Sequence, residues 1–289
     1  MDHPQVSVII PVFNGAAWLA RQLEALKRDT AQPFETVIAD NGSTDESVAI
    51  ARSFQGEMPI IVADASARRG QAFARNVGAR TAAGDYLLFL DQDDEVGPGY
   101  VTAMTSALER SEFVAARMES EKLNVGWRRH ARTLPQTEGL PSATVPWAYG
   151  GTIGVRRATF ESLGGFAEDL GVFAAEDGDF CARAHERGVV LTFVPDAVLH
   201  YQYPATLRGF FRQGVAYGFA GVMVEARHGA KPDMSPLSVV RSFLGPARLV
   251  VLGPSKGARA SGLFLLGRRI GRLRGARQLG RAQDESTAS

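Results

Sequence analysis

Four short apolar runs, separated by stretches of helical periodicity, constrain the chain from Val6 to Leu90 more than any other feature. Val6-Ser7-Val8-Ile9-Ile10-Pro11-Val12 reads as a buried strand, and Asn14-Gly15 turns the chain behind it. Trp18, Leu19, Leu23 and Leu26 then recur at helical spacing. Phe34–Asp40 is a second strand, and Asn41-Gly42-Ser43-Thr44-Asp45 supplies turn and cap chemistry before Val48, Ile50 and Ala51. Pro59–Val62 is a third strand, Gln71–Ala82 a helix ended by Gly84, and Tyr86–Leu90 a fourth strand. Strands alternating with helices mean βαβ units and a mostly parallel sheet. The first half of the chain is therefore expected to be a Rossmann-like nucleotide-binding unit.

The fourth strand drives into Asp91-Gln92-Asp93-Asp94. Open α/β sheets bind ligands beyond the carboxyl ends of their strands. Carboxylates at that edge suit a hard divalent cation, since Mg²⁺ is typically held by one or two carboxylates plus substrate phosphates. A solvated acidic turn explains the cluster equally well when it is read alone. No Gly-x-Gly-x-x-Gly follows the first strand and no Walker loop is present, which argues against NAD, FAD and P-loop chemistry.

Downstream, Pro98–Leu108 reads as a helix and Phe113–Ala116 as a strand, with loops from Trp127 to Pro146. Ile153–Val155 is a strand, Glu176–Arg187 a helix, Val189–Val194 a strand and Thr206–Arg227 an aromatic-rich helix. The expected divisions are 1–110 and 111–205, two halves of one domain, and 206–289, a C-terminal extension. With 289 residues, 45% hydrophobic and 22% charged, the composition is that of a globular protein. Net charge is +1, which gives no reason to expect a nucleic-acid partner. Cys181 is the only cysteine, so no intrachain disulfide or cysteine-based zinc site is possible. The residues Met1–Gln5 carry no signal-peptide pattern, and no apolar run is long enough for a span. A cytoplasmic location follows as the expectation.

The motif series Val6–Asn14, Asp40–Asp45, Gly70 with Arg75-Asn76, and Gly84–Asp94 resembles family 2 glycosyltransferases. The likeness resumes at Gly164-Gly165-Phe166, Glu176-Asp177-Gly178-Asp179 and Val198-Leu199-His200. The resemblance implies a GT-A fold: an α/β, Rossmann-like mixed sheet flanked by helices, here followed by a helical basic C-terminal tail. It implies an inverting transferase that uses a nucleotide-diphosphate sugar and Mg²⁺ or Mn²⁺, acting on a hydroxyl of a glycan or lipid-linked acceptor in cell-surface polysaccharide or glycolipid synthesis. Processive members carry Gln-x-x-Arg-Trp and membrane spans. Here Arg212-Gln213-Gly214-Val215-Ala216 stands instead, so transfer of a single sugar is expected. The alternatives are a sugar-phosphate nucleotidyltransferase, whose usual glycine-rich basic loop is missing, and an inert nucleotide-sugar-binding or membrane-scaffold member of the fold.

Residue roles follow from the same likeness. Pro11, Phe13 and Asn14 would line the nucleotide pocket and Asp40 would read the base, although capping a turn explains Asp40 alone. Arg75 and Asn76 would sit near the ribose or diphosphate; packing of their helix on the sheet is the competing explanation. Asp91 and Asp93 would contact ribose and metal, with Gln92 in the donor-binding set and Asp94 in support. Asp177 would be the general base. Glu176 would orient the acceptor and Asp179 cap its helix. His200 would join the metal shell or be structural. Trp147 and Tyr149 would stack on the acceptor or belong to the core. Arg156 and Arg157 could meet phosphates or lie on the surface.

From Arg241 onward ten Lys/Arg face only Asp284 and Glu285. Pro236–Leu252 is apolar but interrupted by Pro246, and Leu263, Leu266, Ile270 and Leu273 share one helical face crowded by Arg268, Arg269, Arg272, Arg274 and Arg277. That pattern reads as an interfacial helix on an anionic membrane surface, or as a docked helix with a solvated arginine face. The expected location is then peripheral, on the inner face of the cell membrane.

Overall fold

A computed structural model describes residues 5–29, 34–141, 145–170, 175–230 and 235–287. Met1–Pro4, residues 142–144 of the expected loop and the side chains of Asp284 and Glu285 lie outside this description.

The elements run β1 (Val6–Val12), α1 (Leu19–Lys27), β2 (Phe34–Asp40), α2 (Ser47–Ser53), β3 (Ile60–Asp64), α3 (Gln71–Thr81), β4 (Tyr86–Phe89), β5 (Glu95–Val96) and α4 (Tyr100–Leu108). They continue with β6 (Phe113–Glu119), β7 (Ile153–Arg156), α5 (Arg157–Ser162), α6 (Glu176–Glu186), β8 (Leu191–His200), α7 (Leu207–Arg227), α8 (Pro236–Leu252) and α9 (Lys256–Thr287). The strands form one mixed sheet in the order β3-β2-β1-β4-β7-β6-β8-β5. The β1/β2, β2/β3 and β1/β4 pairs are parallel, as the alternation of strands and helices requires, while β7 runs antiparallel to both β4 and β6.

Successive side chains of a strand point to opposite faces, and β1 displays this. Val8, Ile10 and Val12 join one core with Leu19, Leu23, Tyr100 and Met104, while Ile9 joins the other with Phe89, Phe160, Phe166 and Phe180. Helix α3 approaches the sheet at Gly78, where a Cβ would stand 2.5 Å from Ile9 Cγ2. The aromatic cluster beneath α3 is tight: Phe89–Phe166 and Phe166–Phe180 centroids are each 5.0 Å apart.

The structure departs from the sequence reading in several places, among them the unexpected short helix α5. The two-residue strand β5 was not expected; it exists by antiparallel pairing with the end of β8, Glu95 opposite His200. Strand β8, expected to end at Val194, continues to His200 with Pro195–Ala197 absorbed as a bulge opposite Ala116/Arg117. Pro246 interrupts the apolar run yet lies inside a continuous α8, which meets α9 at Leu249 and Val250 beside Gly262. Trp127–His130 forms a short 3-10 turn rather than an irregular loop.

The chain divides into two compact units. One comprises the chain to Leu123, the stretch from Leu134 and Glu176–Gln202; the other comprises Asn124–Thr133 and the chain from Tyr203. In the second unit α9 packs along α7 and α8. No helix among the described residues is long and apolar enough to cross a membrane.

Candidate functional site

The site lies in the first unit, at the carboxyl ends of β1, β2 and β4. Beyond β1, Phe13 is 43% exposed, so its ring is available to a ligand, and the Arg69 guanidinium lies 4.1 Å from the ring centroid. Pro11 is buried in β1. Asn14 adopts φ 50°, which asparagine tolerates better than most residues. Its Oδ1 accepts from the Thr44 N–H at 2.8 Å and its own N–H donates to Ser43 Oγ at 3.0 Å, tying the loop after β1 to the loop after β2. Asp40 ends β2 half-buried, with Oδ1 accepting from the Ser43 N–H at 3.1 Å. Asn41 bridges from its amide to Ala65, Arg68 and Gly70, fixing the loop that carries Arg69.

Gln92 closes a two-bond clamp on Phe13, accepting from its N–H at 2.9 Å and donating to its carbonyl at 3.2 Å. The acids on either side of Gln92 face different environments. Asp91 Oδ1 accepts from Arg75 Nη2 at 2.6 Å and Gln71 Nε2 at 2.7 Å. Asp93 has its carbonyl held by Arg21 Nη2 at 2.5 Å. Burial, together with the charge of Asp91, pushes the Asp93 carboxyl up to about 6. Asp94 is buried; burial and its two acidic neighbours hold it well above the usual carboxylate range, and Oδ1 accepts from the Gln202 N–H at 2.9 Å.

Arg75 organises the interior of the site. Its guanidinium, 2% exposed, joins Asp91 to Glu176, donating from Nη1 to Glu176 Oε1 at 2.7 Å, and lies 5.5 Å from the Phe166 ring centroid. Asp177, next to Glu176, accepts from the Gly178 N–H at 2.7 Å and the Gly150 N–H at 3.1 Å. Burial and the Glu176 charge push its carboxyl up to about 6, against the opposing pull of Arg75 and those two N–H groups. The Gly150-Gly151 turn fits only without side chains: a Cβ on Gly150 would strike the Arg75 guanidinium, and one on Gly151 would stand 2.8 Å from Asp91 Oδ2.

The remaining sequence-derived residues are placed as follows. Trp147 and Tyr149 are half-buried with ring centroids 5.0 Å apart, beside the Gly150 turn. The Asn76 amide donates to the Phe166 carbonyl and Glu168 Oε1, both at 2.8 Å, and its Oδ1 accepts from the Phe166 N–H at 2.9 Å, so it anchors the loop after α5. His200 ends β8 with Nδ1 3.3 Å from Glu119 Oε1. Among the described residues no three His, Cys, Asp or Glu side chains are gathered as a metal cluster. Asp179 is buried and accepts from Arg183 Nε at 2.7 Å. Arg156 and Arg157 donate to carbonyls at the ends of α4 and α3, which gives them structural work.

Several contributors were missed. Gln71 falls one helical turn before Arg75, the spacing at which two side chains meet one target. Gln22 sits on the apolar face of α1 among Leu19, Leu23 and Leu26, a visible anomaly, and accepts from the Val96 N–H at 3.0 Å. Gln136, fully buried, donates to the Ala116 carbonyl and Thr152 and accepts from the Tyr149 N–H, and no periodic signal marks it.

Comparison with known proteins adds independent findings. The family described as Glycosyl transferase family 2 matches residues 7–164. The pre-mycofactocin glycosyltransferase of Mycobacterium tuberculosis is 27% identical over 94% of this chain and 58% of its own length. This chain thus spans less than two thirds of that relative. Among solved structures, a mannosyltransferase from Pyrobaculum calidifontis in complex with GDP-Man and Mn²⁺ superposes with a TM-score of 0.66 at 18% identity, covering 94% of this chain and 88% of that one. Glucosyl-3-phosphoglycerate synthase from Mycobacterium tuberculosis, in complex with Mn²⁺, UDP and phosphoglyceric acid, does so with 0.58 at 18% identity, covering 80% of each. At these identities the structures establish a shared GT-A fold.

Proposed function

The chain belongs to the family 2 glycosyltransferases, and from that premise we propose that it transfers a single sugar, with inversion, from a nucleotide-diphosphate sugar to a hydroxyl of a glycan or lipid-linked acceptor. The observation that carries this reading is the Arg75 bridge, which ties Asp91 at the end of β4 to Glu176 at the start of α6 and so brings together two acidic motifs far apart in sequence. The relative and the two structural neighbours act on, or are bound to, sugars or nucleotides by their own descriptions.

In this reading Phe13, with Arg69 behind it, takes the base against its ring, Asp40 receives a base N–H, and Asn14 and Gln92 hold the loop that presents Phe13. Asp91 faces the ribose and, with Asp93, a divalent cation. The chemistry of Asp93 fits such an ion: a carboxylate raised by burial and by Asp91 is relieved by a cation. His200 would join that ion's shell; its Nδ1 is buried without a hydrogen bond, 3.3 Å from Glu119 Oε1. A bound Mg²⁺ or Mn²⁺ would stabilise charge on the departing diphosphate. Asp177 takes the proton of the acceptor hydroxyl, and a carboxyl raised to about 6 suits a base working near neutral pH. Trp147 and Tyr149 offer aromatic faces to an acceptor sugar, and Glu176, held by Arg75, would help orient it. Work on cell-envelope glycans or glycolipids at the inner membrane face is the setting consistent with the basic second unit.

The test is release of nucleoside diphosphate from UDP-glucose, UDP-GlcNAc and GDP-mannose, with Mg²⁺, Mn²⁺ or EDTA, in the presence of a lipid and glycan extract as acceptor. Metal-dependent release from at least one donor is expected. No release from any donor, with nucleotide binding retained, would favour the inert reading.

A further inference from the structure

Four of the eight exposed large apolar side chains among the described residues lie on the single helix α8: Val240 (60%), Leu244 (65%), Val251 (71%) and Leu252 (69%). Scattered exposed apolar residues are ordinary; a contiguous stripe marks an interaction surface. At ~100° per residue, Val240, Leu244 and Val251 project within ~40° of one another, with exposed Ala247 among them. Arg241 and Arg248, both exposed, run along one side of the stripe, and α8 contains no carboxylate. The opposite side of α8 is occupied by α9, where Gly262 meets the Leu249–Val250 backbone. The sequence pattern had assigned the apolar stripe to α9 instead. In the structure no large apolar side chain of α9 is exposed among those described: Leu263, Leu266, Ile270 and Leu273 are half-buried, and its Gly267 and Gly271 lie against the α7 backbone.

We propose that α8 lies in the surface of an anionic membrane, with Val240, Leu244, Val251 and Leu252 inserted among the acyl chains and Arg241 and Arg248 at the level of the phosphates. An in-plane amphipathic helix binds by buried apolar area plus attraction to anionic lipid, and arginines rimming the stripe reach headgroups along their own alkyl stems. Charge favours this occupant over a second copy of the chain. A two-fold contact of α8 with itself would bring like-charged arginine rims together, which opposes association. Fourteen Lys/Arg against four Asp/Glu in the chain from Tyr203 onward push the same way. The inference stands apart from sugar transfer, since vesicle binding needs neither donor nor acceptor.

The test is sedimentation of the full-length protein with vesicles of equal parts phosphatidylcholine and phosphatidylglycerol, and with phosphatidylcholine alone. Binding to the anionic vesicles is expected, with Leu244→Asn/Val251→Asn weakening it about tenfold and Arg241→Gln/Arg248→Gln removing the preference for the anionic lipid. Should the double Asn variant misfold, an environment-sensitive dye at Leu244→Cys answers the same question, because Cys181 is buried and escapes labelling. Its emission is expected to shift to the blue on adding anionic vesicles. No binding, binding that responds to Arg274→Gln/Arg277→Gln on α9 but not to the α8 changes, or a dimer in solution abolished by the Asn variant would each overturn the proposal.

Discussion

Arg75 neutralises Asp91 and Glu176 at once, and removing one partner of a buried ion pair leaves an uncompensated charge, at a cost of about 3–5 kcal/mol. Arg75→Met is therefore expected to lower the melting temperature by several degrees, and a melt within one degree of the parent would remove Arg75 as the organiser of the site. Asp93→Asn acts in the opposite direction. Its carboxyl stands at about 6 against an ordinary 3.8, and a raised carboxyl favours the protonated form in the folded state. The resulting penalty is absent below pH ~4, grows as pH rises and is complete above pH ~6. After discounting for screening of a half-buried group it is about 1–2 kcal/mol. In EDTA at pH 7.5 the Asn variant is expected to melt higher than the parent, while Mn²⁺ raises the parent's melt alone. A parent melt indifferent to Mn²⁺ would count against Asp93 as a ligand. Asp177 sets the pH profile. Its ionised form is the base, so kcat/KM is expected to climb tenfold per unit below pH ~6 and level off above it. Asp177→Asn is expected to lose transfer while keeping nucleotide binding by calorimetry, and a variant with parental activity rules out that role.

At the scale of elements, the glycines of α7 and α9 decide how closely those helices approach. A Cβ on Gly214, Gly218, Gly267 or Gly271 would collide with a backbone carbonyl of the facing helix, whereas one on Gly280 would meet nothing within 4 Å. In an exposed helix Gly→Ala stabilises by up to ~1 kcal/mol, but overpacking a tight contact costs ~1–3 kcal/mol. Gly271→Ala is expected to lower the thermal melt and Gly280→Ala to leave it unchanged or raise it; a stabilised Gly271→Ala would show that the seam relaxes freely. This seam was not legible in sequence, because glycines in a helical pattern signal weakness rather than contact. Strands β1, β2 and β4 were legible because they are almost wholly buried and read as near-continuous apolar runs, and the edge strand β3 by its short run Ile60–Val62. By contrast β5 has only two residues and no period, and the bulge at Pro195–Ala197 presents turn chemistry that pairing with β6 overrides. The acidic motifs were visible as residues. The Arg75 bridge that joins them, and the Gly150-Gly151 turn packed on it, were not, since neither depends on a local pattern.

Across the whole molecule the two compact units interleave along the chain. Asn124–Thr133 leaves the first unit and belongs to the second. There the Trp127 ring lies 5.7 Å from Phe210 and 4.9 Å from Lys256 Nζ, and the Arg132 guanidinium lies 4.2 Å from Phe264. Tyr203 fastens both ends of this insert, donating from its N–H to Asn124 Oδ1 at 2.8 Å and from its hydroxyl to the Arg132 carbonyl at 2.7 Å. No composition shift marks the segment, because its partners lie far along the chain. A chain ended at Gln202 therefore removes every one of these partners while keeping the insert. Uncovered aromatic surface of this kind binds ANS. The truncated chain is expected to bind ANS at the uncovered insert and to melt less cooperatively. Replacing Trp127 by Ser in the truncated chain is expected to lower that ANS signal without restoring the melt. A truncation whose ANS signal is unmoved by Trp127→Ser and whose melting temperature equals the full chain's would show that the insert needs none of these partners.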